Sequence, residues 1–434
     1  MITWIKAGTL IDPERGAVKK RDLIVEKGKI SKILPHGNFK AENRRVQVID
    51  ATNKLVAPGL IDMHTHLREP GEEYKETIAS GGRSGIAGGF TSLACMPNTT
   101  PPNDSRSVTE FILEQAKRSG LCNIYPIAAI TLGQQGKRLT EFGDLKDAGA
   151  VALSDDGLPV TDSELMRRAL EYAAYHGLTV ISHAEDRALS RGGVMHEGVV
   201  STLIGLPGIP AASEEIMIWR EICLADLTRC PVHIAHVSTA GSVELIRRAK
   251  EAQIPVTAET APHYFSLDHN EVFGFKTNAK INPPLRTRED VEAIQKGLAE
   301  DVIDAIATDH APHSPLEKEV EFDRAAFGAI GLETALPLTL ALVRNGTLEL
   351  PQAIKKLSTN PASILGISGG SLGVGDSADL VIIDPESEYQ LEEGDILSKS
   401  KNSPFIGKTM KGRNDLTMIS GKVVWERHGK YSRR

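Results

Sequence analysis

Apolar residues along the chain fall into short runs punctuated by glycine and charge. Four such runs open it, Ile2 to Ile5, Leu23 to Val25, Ile30 to Leu34 and Val46 to Ile49, separated by turns such as Glu26-Lys27-Gly28-Lys29. Bounded in this way they predict antiparallel strands. The far end repeats the style with Leu380 to Ile383 and Val423 to Trp425. Neither end carries enough strands to be stable alone, so the two together predict one small β domain, a β-sandwich, from residues 1–54 and 367–434. The Gly- and Ser-rich stretch Ile367 to Gly375 is the expected linker into its second half.

Between them, residues 55–366 show a recurring unit of apolar strand, polar turn and helical pattern. The candidate strands are Leu55 to Met63, Phe90 to Met96, Cys122 to Ile130, Gly149 to Leu153, Leu178 to Ser182, Pro231 to Ala235, Ile254 to Ala258 and Val302 to Ala307. Helical stretches such as Ser213 to Asp226 and Ser242 to Ala252 alternate with them, with early acids and, in the second, late bases, as the helix dipole prefers. Near-continuous apolar strands alternating with helices indicate a parallel sheet covered on its outer face. Eight units predict an α/β fold closed as a (β/α)8 TIM-type barrel, with a doubly wound open sheet as the alternative.

Composition narrows the function classes. The chain has 434 residues, 41% hydrophobic and 25% charged, which is ordinary for a globular enzyme. A net charge of -7 without any basic block argues against a nucleic-acid partner. With neither an apolar leader nor a bilayer-length apolar stretch, the expectation is a cytoplasmic protein with no membrane partner. The four cysteines are scattered, and for Cys95, Cys122 and Cys230, in apolar surroundings, a role as small buried side chains is expected rather than zinc ligation.

Chemistry concentrates at strand ends. Seven of the 13 histidines, His64, His66, His183, His236, His263, His310 and His313, lie at or just past a predicted strand's C-terminal end. Those ends converge on one face of a β/α barrel, where catalysis takes place. In Asp62-Met63-His64-Thr65-His66 the strand period puts both histidines on one side, suited to gripping a divalent metal. Alone, such a pair is as readily structural, and Asp155-Asp156-Gly157 alone reads as a turn. Four independent strand ends carrying His or Asp, the first, fifth, sixth and eighth, make coincidence a poor account, and a carboxylate among imidazoles supplies the charge that neutral rings lack.

At this point the chain resembles the amidohydrolase superfamily, and within it the type I dihydroorotases, over essentially its whole length. The run Gly59 to Gly71, containing His64-Thr65-His66-Leu67-Arg68, and the run Ala305 to His313 look like that family's signatures. The resemblance implies a zinc centre of one or two ions per subunit. His64, His66 and Asp309 would hold one ion, His183 and His236 the second, and Asp156 would bridge them. Asp309 would also be the catalytic acid/base. It further implies that Arg68, Asn98, Asn282 and His313 bind dihydroorotate or carbamoyl aspartate, with backbone contacts from Phe327 and Gly328. Hydantoinases and allantoinases of this superfamily bridge their metals with a carboxylated lysine, and Gly149 to Gly157 contains no lysine.

The implied function is reversible closure of N-carbamoyl-L-aspartate to L-dihydroorotate by a metal-bound hydroxide, the third step of de novo pyrimidine biosynthesis. A homodimer is expected, with room for a complex with aspartate transcarbamoylase. The competing readings are a hydantoinase, dihydropyrimidinase or allantoinase on the same fold, and a non-catalytic scaffold for aspartate transcarbamoylase. Arg68 alone would read as a surface charge. The charged stretch Pro315 to Arg324 reads either as a solvated loop or as an active-site lid.

Overall fold

Eight parallel strands, in the order Leu60–Thr65, Phe90–Cys95, Asn123–Ala128, Ala152–Ser154, Thr179–Ser182, Val232–Ile234, Val256–Thr260 and Ala305–Ile306, form the central sheet. A parallel bridge between Thr65 and His310 joins its first and last edges, closing the barrel. The structure, a computed structural model, describes residues 2–40 and 45–429; residues 1, 41–44 and 430–434 of the expected terminal unit lie outside the described residues.

The period of two along each strand separates two cores. Leu93, Val180, Ile234 and Ile306 point outward to the helices. Their neighbours Ala94, Ile181, Ala235, Ala305 and Ala307 point inward with Met63, Met96, Ile127 and Ala152. Alanines dominate this inner layer because the barrel's axis leaves little volume. The intervening helices are cut by local signals: Ser163–His176 starts at Asp162, whose carboxylate accepts from Glu164 N and Leu165 N, and stops at Gly177 with φ +63°. Ser213 to Asp226 and Ser242 to Ala252 correspond to helices Ala212–Thr228 and Ala240–Glu251.

Three expectations change. The apolar run from Leu55 to Met63 is two strands, because Leu55–Pro58 pairs with Leu380–Gln390 and Ile2–Asp12 in the terminal sheet, and only Leu60–Thr65 enters the barrel. Gly59 is the crossing point, packed so tightly on the Thr91 side chain that a Cβ would clash. The terminal sheet is also not wholly antiparallel: Val46–Asp50 and Leu55–Pro58 both run parallel to Ile2–Asp12. Finally, Thr409–Ile419 is an unforeseen long strand, hidden because its inward positions include Gly412 and Asn414, which carry no hydropathy signal. Asn414 uses its amide to bond Ile86 O and Ala87 O, fastening this sheet to the barrel helix Ile78–Gly88. Both chain ends thus contribute to one eight-stranded sheet beside the barrel.

Closure depends on a buried carboxylate. Asp62 in the first strand accepts from His64 N at 3.1 Å, Thr308 N at 3.1 Å and Thr308 Oγ1 at 2.5 Å, tying the first strand to the residues after the eighth. Asp62→Ala would leave three buried donors without an acceptor, so metal-depleted protein should lose at least about 2 kcal/mol in guanidinium unfolding. A loss below about 1 kcal/mol would show that closure does not rest on this contact.

Candidate active site

The strand ends bring His64, His66, Asp156, His183, His236 and Asp309 together from five strands. Asp156 lies at the middle: its Oδ1 is 3.5 Å from His64 Nε2, 3.4 Å from His183 Nδ1 and 3.6 Å from His236 Nε2, and its Oδ2 is 3.6 Å from His66 Nε2. Asp309 Oδ1 lies 3.1 Å from His66 Nε2 and 3.5 Å from His64 Nε2. Two sets of converging donor atoms result, His64–His66–Asp156 and Asp156–His183–His236, each within 4.8 Å, with Asp156 common to both.

Burial opposes every charge here, yet the carboxylates stay ionised. The charge of His64, and then the nearby rings of His183 and His236, hold Asp156 well below the usual range. The His66 hydrogen bond and neighbouring imidazoles do the same for Asp309. Conversely Asp156 and Glu185, overcoming burial, push His183 up to about 10. Lone pairs and negative charge that bind protons so firmly are what a divalent cation takes in their place. His64 Nε2 and Asp156 Oδ1 are both buried without a hydrogen-bond partner, facing each other across this space. The residues fit a metal.

Three of the four imidazoles are aimed by a neighbour. Glu259 Oε1 is 2.7 Å from His64 Nδ1, Asn98 Oδ1 is 2.8 Å from His66 Nδ1, and Glu185 Oε2 is 3.1 Å from His183 Nε2. Such partners fix ring orientation and tautomer. Glu259 and Glu185 escaped sequence reasoning, although both lie at strand ends, Glu185 two residues past His183. Asp155 is separate from the centre: its carboxylate accepts from Ile130 N, Thr131 N and Thr131 Oγ1, capping the third strand's exit while Asp156 faces inward. Arg68, His236 and Asp309 hold φ values of +61°, +36° and +48°. Non-glycine residues in that region carry a local strain of about 1–3 kcal/mol each, which packing must impose, and such strain clusters at functional sites.

Arg68 is buried at the rim, with Nε donating to Pro312 O at 3.2 Å and Nη2 3.4 Å from His313 Nε2. Burial, then the charges of Arg68, Lys75 and Lys318, push His313 down to about 3, so its ring is neutral. Asn98 touches the centre, with Nδ2 3.5 Å from Asp156 Oδ2, and Asn282 Nδ2 reaches Glu185 Oε2 at 3.4 Å. Phe327 stacks under Lys280 Nζ. Gly328 has its N–H on Lys280 O and its carbonyl on Lys318 Nζ and Asn402 Nδ2. Of the charged stretch Pro315 to Arg324, the helix Pro315–Lys318 ends in a buried lysine whose Nζ donates to Ala326 O and Gly328 O, while Leu316 is exposed. The segment is therefore pinned at Lys318. His310 is turned away, with Nδ1 accepting from Gly331 N and Nε2 near Glu76.

No helix among the described residues is long and apolar enough to cross a membrane. A family model described as dihydro-orotase-like matches residues 53–242. The dihydroorotase of Geobacter sp. (strain M21) is 53% identical over 97% of this chain and 99% of its own, and that of Citrifermentans bemidjiense is 54% identical over the same shares. Among solved structures, an L-hydantoinase (dihydropyrimidinase) from Arthrobacter aurescens superposes with a TM-score of 0.86 at 26% identity, covering 98% of this chain and 96% of the other. A dihydropyrimidinase from Brevibacillus agri, at 22% identity and TM-score 0.85 over 98% and 95%, shares the fold. Twice as much sequence is shared with the dihydroorotases as with these structural neighbours, over the full length, and the chain belongs to the dihydroorotase family.

Proposed function

We propose that the chain is a dihydroorotase, a hydrolase that reversibly closes N-carbamoyl-L-aspartate to L-dihydroorotate and water. The observation that carries this reading is the Asp156-centred cluster of four imidazoles and two carboxylates with the buried guanidinium of Arg68 at its rim. It joins a site able to hold cations to a cation able to read a carboxylate. Asp156 standing where no lysine is available favours this reading over a hydantoinase or allantoinase. The likeness to the family supports a cytoplasmic homodimer able to associate with aspartate transcarbamoylase, with the barrel, expected over 55–366 and entered at Leu60, as the catalytic unit.

His64, His66 and Asp309 would hold one zinc, His183 and His236 a second, and Asp156 would bridge, a donor set of imidazole nitrogen and carboxylate oxygen suited to that metal. Bound there, zinc supplies Lewis-acid charge and lowers the pKa of water towards neutrality. Arg68 forks onto the ring carboxylate. His313, Asn98 and Asn282 orient the ring, and the backbone at Phe327 and Gly328 walls it. In hydrolysis, water oxygen bonds to the ring amide carbon. Asp309, ionised beforehand, takes its proton and delivers it to the ring nitrogen as the C–N bond breaks, so that nitrogen leaves as the ureido NH2. Ring closure retraces the path.

The zinc-loaded chain, assayed side by side on dihydroorotate, hydantoin and allantoin, should turn over the first and neither of the others; preference for hydantoin would overturn the assignment. Stripping with dipicolinate should abolish turnover, and added zinc should restore it without bicarbonate. A need for bicarbonate would point to a carboxylated lysine in place of Asp156.

Arg68→Met should weaken dihydroorotate binding by about 1.5–3 kcal/mol, the worth of a charge-assisted hydrogen bond, at unchanged zinc content. An unaltered KM would remove Arg68 from substrate recognition. Asp309→Asn keeps an oxygen that can ligate but cannot take a proton. It should retain substantial zinc while losing about 10²-fold to 10⁴-fold in kcat/KM in both directions equally. A zinc-replete variant keeping more than about a tenth of parental turnover would show that another group moves the proton.

A further inference from the structure

The loop of residues 391–408 joins strands Leu380–Gln390 and Thr409–Ile419 of the terminal sheet, yet its tip lies on the barrel mouth. Ser398 Oγ donates to the Glu76 carboxylate, Ser400 Oγ to Lys75 O at 2.7 Å and Lys399 Nζ to Glu73 O at 2.7 Å. At the end of this contact Asn402 is 4% exposed. Its Oδ1 accepts from His313 N at 3.1 Å, and its Nδ2 donates to Ala311 O at 2.9 Å and Gly328 O at 3.1 Å. Its own carbonyl accepts from Ile330 N at 3.1 Å. Both amide donors and the carbonyl oxygen are in use, and only a side-chain amide offers both kinds of group at that spacing.

The two segments it joins are the walls of the substrate side. His310 bridges in parallel to Ala329, and Gly328, at φ +134°, packs so closely that a Cβ would lie 2.7 Å from Ala311 Cβ and 3.1 Å from His313 Nε2. A shift of either segment therefore moves the His313 ring, and with it the partner of Arg68 Nη2. Among its hydrogen bonds, none goes to the six residues around the metal space.

We propose that Asn402 is a positioning residue for substrate binding, contributed by the terminal sheet, which sets the separation of His313 from Gly328 and so the geometry of the Arg68–His313 pair. The proposal rests on the reading of that wall as the dihydroorotate side. Its effect belongs in KM rather than kcat, because the wall contacts substrate away from the proton transfer.

The test compares Asn402→Leu, near in volume but without hydrogen bonds, and Asn402→Ser, which keeps one hydroxyl, in the zinc-loaded full chain. Asn414→Leu is the control, a buried amide fastening the terminal sheet elsewhere. Loss of three buried bonds should raise KM for dihydroorotate by about tenfold or more in Asn402→Leu, and less but in the same direction in Asn402→Ser. Zinc content should stay full and kcat within about threefold, while Asn414→Leu lowers the melting temperature and leaves KM alone. A KM within about twofold of the parent in whichever Asn402 variant folds, or an equal rise in Asn414→Leu, overturns the proposal. Failure of the substrate reading is distinguishable, since the parent itself would then not turn over dihydroorotate. Amide exchange decides in that event: residues 309–313 and 326–331 should exchange about tenfold faster in Asn402→Leu and not in Asn414→Leu, and unchanged protection there overturns the inference.

Discussion

The barrel mouth is organised around one buried negative charge. Asp156 sits within 3.4–3.6 Å of four imidazole nitrogens drawn from the ends of three other strands. An ionised carboxylate in a dry interior is unfavourable unless matched, so the fold must supply positive or metal charge from every side. The arrangement of neighbours follows from that need. Glu259, Asn98 and Glu185 each take the far nitrogen of one ring, which leaves the near nitrogen turned towards the centre. The site is a set of concentric polar contacts that would each be costly alone.

Holding such a set requires a rigid frame, and the frame is made of closure contacts. Asp62 and the Thr65–His310 bridge join the first strand to the residues after the eighth, the same residues that deliver Asp309. Arg68 and Asp309, on the two segments so joined, and His236 at the end of the sixth strand all hold positive φ values, a strain that the rest of the barrel must balance. The terminal sheet belongs to this frame as well, through Asn414 on the first barrel helix and through the 391–408 loop on the rim.

Glu259 and Glu185 show where reading along the chain falls short. A glutamate near a strand end looks the same whether it faces solvent or a histidine from another strand, and His64 and Glu259 are 195 positions apart. Lys318 is a sharper case. In a charged stretch it suggests a solvated loop, yet it is buried on the carbonyls of Ala326 and Gly328, and burial followed by the Lys280 charge pushes its pKa down to about 7. Asn402 carries no signal in sequence, since an asparagine between Lys401 and Ser403 reads as ordinary polar loop.

By itself the sequence determined the eight-unit barrel, the pairing of its two ends into one β domain, which the structure builds as a single sheet rather than a sandwich, and the histidines and aspartates that gather at the mouth. These are periodic or local: strand alternation, turn glycines and a residue's distance from a strand's end can be counted along a chain. Only the tertiary structure decided that Leu55–Pro58 leaves the barrel for the terminal sheet at Gly59, that Asp155 caps while Asp156 faces the centre, and that a loop from the far end reaches His313. Each of those outcomes depends on which partner a group meets across the fold. Hydrogen bonds and ion pairs between distant segments are selected by three-dimensional proximity, which hydropathy and spacing do not encode.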